Sequence, residues 1–231
     1  MLVYRYDNIP LRNCLLDIEV IIKQNLIKKE GILSIRTLNY YNKNFYAFSK
    51  DTFDVSMMEN QDRFSSYIPE GGYILDFGCG SGRDTKYFIE KGFQMDAMDG
   101  SEKMCEIAYK NTGQEVKKHL FNELDAINTY DGIWACSSIL HLTVDELSDV
   151  FRKMIRATKT GGYIYTSFKY GDFEGYRGDR YYTDFTEKRF RDFIKDIDNI
   201  QLVEEWISAD VRPNRSNERW LNLIIRKPIT G

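Results

Sequence analysis

The decapeptide Ile74-Leu75-Asp76-Phe77-Gly78-Cys79-Gly80-Ser81-Gly82-Arg83 decides how the rest of this chain is read. Tyr73 to Phe77 is a short apolar run and predicts a strand buried on both faces. Glycines at 78, 80 and 82 then turn the backbone, and a helical pattern follows at once with Asp84, Tyr87 and Phe88. Strand, glycine turn and helix together offer backbone N–H groups and a helix N-terminus to a ligand. Glycine is needed there because a Cβ would block either a close approach or a φ > 0 turn.

Downstream of this stretch, strands and helices alternate. Phe93 to Met98 reads as a strand, Ser101 to Tyr109 as a helix, Val116 to Leu120 as a weak strand and Tyr130 to Cys136 as a strand. Val144 to Thr158 is helical, with Leu147, Val150, Phe151, Met154 and Ile155 on its apolar face and a capping box from Thr143 and Glu146. Lys159 to Gly162 predicts its end, ahead of a strand from Tyr163 to Phe168. The βαβ series implies an α/β fold with a mostly parallel sheet and right-handed crossovers. Residues 169–182 read as irregular, Thr186 to Ile197 as a helix, and Ile200 to Ser208 and Trp220 to Arg226 as two late strands.

Upstream, Leu15, Leu16, Ile18, Ile21, Ile22 and Leu26 recur at helical spacing. They define an N-terminal helical extension, residues 1–38, ahead of a main domain spanning 39–231. Asn39 to Tyr67 is again helical and aromatic, and Asp51 or Thr52 is the expected cap of a helix running toward Arg63. Pro69-Glu70-Gly71-Gly72 closes this part with a turn.

A net charge of −3 with 29% charged residues does not suggest non-specific binding to nucleic acid or a membrane surface. Aromatics at 14% fit a well-filled core or an aromatic-lined pocket. Cys14, Cys79, Cys105 and Cys136 have no metal-ligand spacing, and with only 2 histidines no zinc site is expected. Reduced thiols suit a cytoplasmic protein. Arg5 and Asp7 interrupt the start and no apolar run reaches ~18 residues, so neither a signal peptide nor a membrane span is expected.

The glycine loop discriminates between ligands. A dinucleotide site uses GxGxxG, whereas here the third glycine comes one residue early. Asp76 closes the strand just before the loop; a carboxylate there repels a pyrophosphate and suits a cationic, amino-bearing ligand. Asp99, at the end of the next strand in Ala97-Met98-Asp99-Gly100-Ser101, is placed to accept both hydroxyls of a ribose. His141 follows the fourth strand, at the ligand edge of the sheet, as a general base, a substrate contact or a buried structural histidine. Arg177, Arg180, Tyr181 and Tyr182, joined by Arg212, Arg215 and Arg219, read either as a solvated basic loop or as a clamp for an anionic substrate.

The loop, together with Asp99-Gly100-Ser101, resembles the class I methyltransferases that depend on S-adenosylmethionine, over roughly residues 41–228. Ser138-Ile-Leu-His-Leu142, Thr166-Ser-Phe-Lys-Tyr170 and Glu218-Arg-Trp-Leu-Asn222 are similar to a bacterial small-molecule-type subgroup, with more distant similarity to tellurite-resistance methyltransferases. The resemblance implies a Rossmann-like sheet of seven strands with helices on both faces, its last strand antiparallel and inserted beside its neighbour. It implies that Asp76 lies near the methionine amino group, that Gly78 and Gly80 pass under the cofactor, and that Asp99 holds the ribose with Gly100 and Ser101 beside it. It further assigns Asn122 and Glu123 to the adenine and Ala135 to the cofactor's flank. Arg83 belongs to the same cofactor set, and Tyr41, Tyr46 and Thr52 to a helix folded over its methionine end. His141 and Tyr181 are the candidate catalytic residues.

Ala135-Cys136-Ser137-Ser138 lacks the Asn/Asp-Pro-Pro-aromatic motif of enzymes that methylate base or amide nitrogens. A small-molecule acceptor, methylated on oxygen or nitrogen, is therefore the leading expectation. An RNA methyltransferase, a non-catalytic cofactor- or partner-binding module and an NAD-dependent oxidoreductase stay open beside it.

Overall fold

The computed structural model describes residues 35–229. The helical pattern at Leu15 to Leu26 lies outside the described residues. A first helix, α1, covers 35–52 and runs unbroken through the 38/39 boundary. The second, α2 (Met58–Ser65), starts after a break. Asp51 and Thr52 do not cap it. Thr52 Oγ1 instead donates to the Phe48 carbonyl at 2.7 Å, inside the last turn of α1, and the N-cap position of α2 is Met57.

The remaining elements follow as β1 (Tyr73–Phe77), α3 (Arg83–Glu90), β2 (Gln94–Asp99), α4 (Glu102–Thr112), β3 (Val116–Lys118), β4 (Tyr130–Ala135), α5 (Val144–Ala157) and β5 (Thr158–Lys169). Then come β6 (Glu174–Arg177), β7 (Arg180–Thr183), α6 (Glu187–Ile194), β8 (Gln201–Ala209) and β9 (Arg219–Arg226). One sheet has seven strands in the order β3-β2-β1-β4-β5-β9-β8. The pairs β3–β2, β2–β1, β1–β4 and β4–β5 are parallel, while β9 is antiparallel to both β5 and β8. This is the class I methyltransferase architecture that the resemblance implied, with the late antiparallel strand inserted.

Alternation along the strands explains the layers. Leu75, Phe77, Ile133, Ile164, Leu223 and Ile225 face the side covered by α5 and α6. Ile74, Trp134, Tyr165 and Ile224 face the other side, where Phe64 of α2 and Phe88 of α3 close over them. Trp134 and Tyr165 stack with ring centroids 3.9 Å apart. Gly132 sets the depth of α2, since a Cβ there would lie 2.7 Å from both Phe64 Cζ and Ile68 Cδ1.

Two local expectations are corrected. Lys159 to Gly162 does not end the helix but belongs to the next strand: α5 stops at Ala157, and β5 starts at Thr158 and not at Tyr163. The Tyr130↔Thr158 and Gly132↔Tyr163 pairs bracket a bulge that absorbs the glycines. Residues 169–182 are not irregular throughout. They hold the β6–β7 hairpin, closed by Gly178-Asp179 with Gly178 at φ +61°. A two-residue Gly-Asp turn between aromatic-rich runs is a hairpin signal, and it was legible in the sequence.

Gly132→Ala is expected to destabilise the fold by about 1–3 kcal/mol by pushing α2 off the sheet. Urea unfolding measures this as a lower midpoint with an unchanged m-value.

Candidate active site

Strand order reverses between β1 and β4, and a crevice opens at their carboxyl ends, where ligands bind in such sheets. The loop after β1 is held to β2 by Gly78 N and Cys79 N, which donate to the Met98 carbonyl at 2.9 and 3.0 Å. The loop after β4 is held to β1 by Ser138 Oγ, which donates to the Phe77 carbonyl at 2.6 Å. The two loops approach so closely at this point that a Cβ on Gly78 would lie 2.5 Å from Ser138 Cβ. Gly78, already at φ +88°, is therefore fixed as glycine on two counts. Above Gly80 the nearest atom to an added Cβ is Phe48 Cε1 at 3.9 Å, so this backbone lies bare toward the cavity.

The crevice is part of a cavity of about 520 Å³. On the β2 side it is lined by Leu38, Asp99, Gly100, Phe121 and Asn122. Asp99 accepts from Gly80 N at 3.0 Å and from Ser101 N at 2.8 Å. Burial pushes its carboxyl up to about 6 against the pull of those two N–H groups. Each oxygen keeps acceptor capacity beyond its one backbone bond.

Under the loop, Asp76 accepts from Thr85 Oγ1 at 2.6 Å. Burial, and then the negative charge of Asp84, hold Asp76 well above the usual carboxylate range. A cation brought close would favour its ionised form. Asp84 itself is kept ionised, because Arg83 and hydrogen bonds outweigh its burial. Arg83 and Asp84 both reach the cavity wall, next to Phe48, Thr52, Met57 and Cys136.

The opposite side is built from β5, β7 and the β8–β9 connection, and carries Lys169, Arg180, Arg212 and Arg215. Lys169 pairs with Glu218, Arg215 approaches Glu218 at 3.6 Å, and Arg212 is bound to Asp210. Arg180 makes no salt bridge among the described residues. It lies over the rings of Tyr40, Tyr41 and Tyr182 at 4.6, 5.9 and 5.4 Å, and its charge repels that of Arg212.

Between the two sides stands His141, at the end of a 3-10 turn, Ile139–His141. Its Nδ1 is 2.6 Å from the Tyr181 carbonyl, and its Nε2 is 2.8 Å from Tyr41 Oη. A carbonyl only accepts, so Nδ1 carries the proton, and Tyr41 donates to the bare Nε2. Burial pushes the imidazole down to about 4 and keeps it neutral. Burial also raises the Tyr41 hydroxyl, against the opposing pull of Arg180. Tyr41 thus spends its only proton on His141, while its oxygen accepts from the Arg180 guanidinium.

Of the residues expected at the site, Tyr41, Thr52, Gly78, Gly80, Arg83, Asp99, Gly100, Asn122 and His141 line the cavity. Asp76, Ser101 and Ala135 sit fully behind the wall, with Ser101 serving as the N-cap of α4 by accepting from Met104 N. Tyr46 is 70% exposed and outside the cavity, because the opposite face of α1 is the one that docks. Glu123 turns away, accepting from Leu120 N at 2.7 Å. Tyr181 supplies its carbonyl to His141, while its hydroxyl leaves to meet Glu174 at 3.2 Å. Arg177 is taken by Asp184, and Arg219 does not reach the cavity. Cys136 and Ser137, which follow Ala135 at the end of β4, line the cavity, and Phe48, Asp84, Ser167, Lys169 and Asn222 join the wall without having been expected there. Lys169 and Asn222 lie in segments quoted for the resemblance, but only the β5–β9 pairing brings their neighbourhoods together, through Ser167↔Asn222.

Comparison with known proteins agrees with this geometry. Residues 74–162 match the family model described as a methyltransferase domain. The Bacillus subtilis (strain 168) protein YqeM, whose methyltransferase designation is itself provisional, is 30% identical over 113 residues, covering 44% of this chain and 46% of YqeM. The chain thus matches about half the length of that relative. Among solved structures, 1,6-didemethyltoxoflavin-N1-methyltransferase of Burkholderia thailandensis, with 1,6-didemethyltoxoflavin and S-adenosylhomocysteine bound, superposes with a TM-score of 0.72 at 18% identity, over 86% of this chain and 90% of that one. The cyclase SpnF shares the fold at a TM-score of 0.60 and 15% identity, over 74% of this chain and 80% of its own, so the fold alone does not name a reaction. Residues 74–162 thus match a methyltransferase domain, and the described chain has the class I methyltransferase fold.

Proposed function

We propose that this chain transfers the methyl group of S-adenosylmethionine to a small anionic acceptor. One observation carries the reading: a single cavity joins a bare glycine loop and Asp99 to an Arg180 guanidinium that has no carboxylate partner among the described residues. The strand order separates the two ends, since β2 lies on one side of β1 and β5, β9 and β8 on the other.

The residues fit the cofactor. Gly78 and Gly80 leave backbone open to a close neighbour, and Asp99 has acceptor capacity for two hydroxyls. A cation held over the loop favours the ionised form of Asp76, which a pyrophosphate would not. S-adenosylmethionine supplies an electrophilic methyl on sulfur, so the protein's task is alignment and exclusion of water. Arg180 anchors the acceptor's anionic group by charge-assisted hydrogen bonds. Tyr41 holds the Arg180 guanidinium beside His141, and its remaining lone pair accepts from the acceptor's N–H or O–H. His141, held in one tautomer by the Tyr181 carbonyl, keeps the Tyr41 proton out of the way.

Calorimetry with S-adenosylhomocysteine is expected to give binding, and Asp99→Ala to weaken it at least about tenfold, the worth of one lost charge-assisted hydrogen bond or more. Preferential binding of NAD would overturn the reading. In a turnover screen with anionic and neutral acceptors, Arg180→Leu is expected to raise KM for anionic acceptors by about 10–100-fold, while S-adenosylhomocysteine affinity stays within about twofold. An unchanged KM for anionic acceptors in the variant, or parent turnover of neutral acceptors as efficient as that of anionic ones, would remove the anionic requirement.

His141 also predicts a pH dependence of stability. Its folded value is about 4 against 6.5 for the free side chain, so the unfolded chain takes up the proton first. The associated stability is present above 6.5 and is lost as pH falls through that window toward 4. His141→Gln is expected to flatten the acid limb of a urea-midpoint profile by about 1–3 kcal/mol between those limits.

A further inference from the structure

Arg83 and Asp84 are sequence neighbours at the start of α3, where consecutive side chains point in different directions. Their side chains nevertheless meet in a two-point pair: Arg83 Nε donates to Asp84 Oδ1 and Nη2 donates to Oδ2, both at 2.8 Å. The guanidinium must fold back to do this, and it holds that shape only if the carboxylate is itself immobile.

Two further donors immobilise it. Gln61 Nε2 of α2 donates to Oδ1 at 2.7 Å, and Trp134 Nε1 of β4 donates to Oδ2 at 2.9 Å. Asp84 therefore accepts four hydrogen bonds, two on each oxygen, which fills a carboxylate. Gln61 is 3% exposed and Trp134 is fully buried, so neither contact competes with solvent. Arg83 lines the cavity, its Nη2 also lies 3.9 Å from Cys136 Sγ, and its Nη1 has no hydrogen-bond partner among the described residues. A cation with donor capacity to spare thus stands in the cavity wall, on a base fixed by α2 and β4.

We infer that Gln61, acting through Asp84, positions Arg83 to bind the carboxylate of the cofactor's amino-acid end. The inference rests on the reading that the cavity takes S-adenosylmethionine. Gln61 touches no ligand; it is a positioning residue, and α2 is its carrier. The same contact explains why a helix outside the βαβ series bears two buried amides, Asn60 and Gln61, on the face that meets the sheet. Asn60 anchors that face separately, bonding Asn222 and Trp206 at 3.3 and 3.2 Å. α2 is thus a built part of the cofactor site and not only a cover for the core.

Two ligands separate positioning from structure. S-adenosylhomocysteine carries the carboxylate, and 5′-methylthioadenosine keeps the nucleoside and sulfur but lacks the amino-acid end. Calorimetry on Gln61→Leu is expected to show S-adenosylhomocysteine weakened about 5–30-fold and 5′-methylthioadenosine unchanged within about twofold. In an Arg83→Ala background, Gln61→Leu is expected to cost S-adenosylhomocysteine nothing more, because the two act in series. Equal losses for both ligands, additive losses in the double variant, or an unaltered S-adenosylhomocysteine affinity would each overturn the inference. A parent protein that binds neither ligand would overturn the underlying cofactor reading instead.

Discussion

The contact on which the site depends is the near collision of two loops at the reversal of strand order. Phe77 ends β1, Ser138 follows β4, and the Ser138 hydroxyl binds the Phe77 carbonyl across the gap. No side chain fits between them, so residue 78 has no Cβ and the following backbone is exposed to the crevice. Moving these loops apart would lose the bonds to Met98 that seat the glycine turn on β2, and with them the register between the turn and Asp99. The cavity is therefore a consequence of how tightly the sheet closes beneath it.

Around that contact the polar groups are sorted. Acidic groups gather at β1 and β2, where Asp76 and Asp99 are both held above the usual carboxylate range by burial. Such groups favour a ligand that brings positive charge or hydroxyl donors. Basic groups gather across the sheet, where Arg180 rests on tyrosine faces without a counter-ion among the described residues. Neutral Tyr41 and His141 lie between them. The cavity is therefore acidic at one end and basic at the other.

The N-terminal part of the described chain is integral to this sorting. α1 is tied to the β6–β7 hairpin by Arg36, which bonds Asp179 and the Gly178 carbonyl, and by Thr37 Oγ1, which accepts from Tyr181 N. Tyr41 reaches His141 from the same helix. The hairpin and α1 together cover the Arg180 side of the cavity, and α2 underpins the glycine-loop side. Aromatic residues that read only as helical periodicity in sequence thus divide into a docked face, with Tyr41 and Phe48, and an outward one, with Tyr46.

The sequence by itself determined the frame. Periodicity located the strands and helices from β1 to α5, because buried parallel strands and amphipathic helices leave period-two and period-3.6 signatures. Glycine spacing, Asp76 and Asp99 favoured a cationic nucleoside over a pyrophosphate, because they act through the backbone and through charge at strand ends, both set locally. What the tertiary structure decided is everything that depends on which way a side chain turns. Tyr181 was legible as a residue near the site, yet it contributes a carbonyl, because alternation in β7 sends its ring outward and Tyr182 inward. Glu123 lay beside Asn122 in sequence but bends back to its own turn. Gln61, Trp134 and Asp84 carried no motif, since their meeting joins α2, β4 and α3 across as many as 73 positions of chain, from Gln61 to Trp134. Contacts of that span are fixed by packing, and no local pattern in the sequence encodes them.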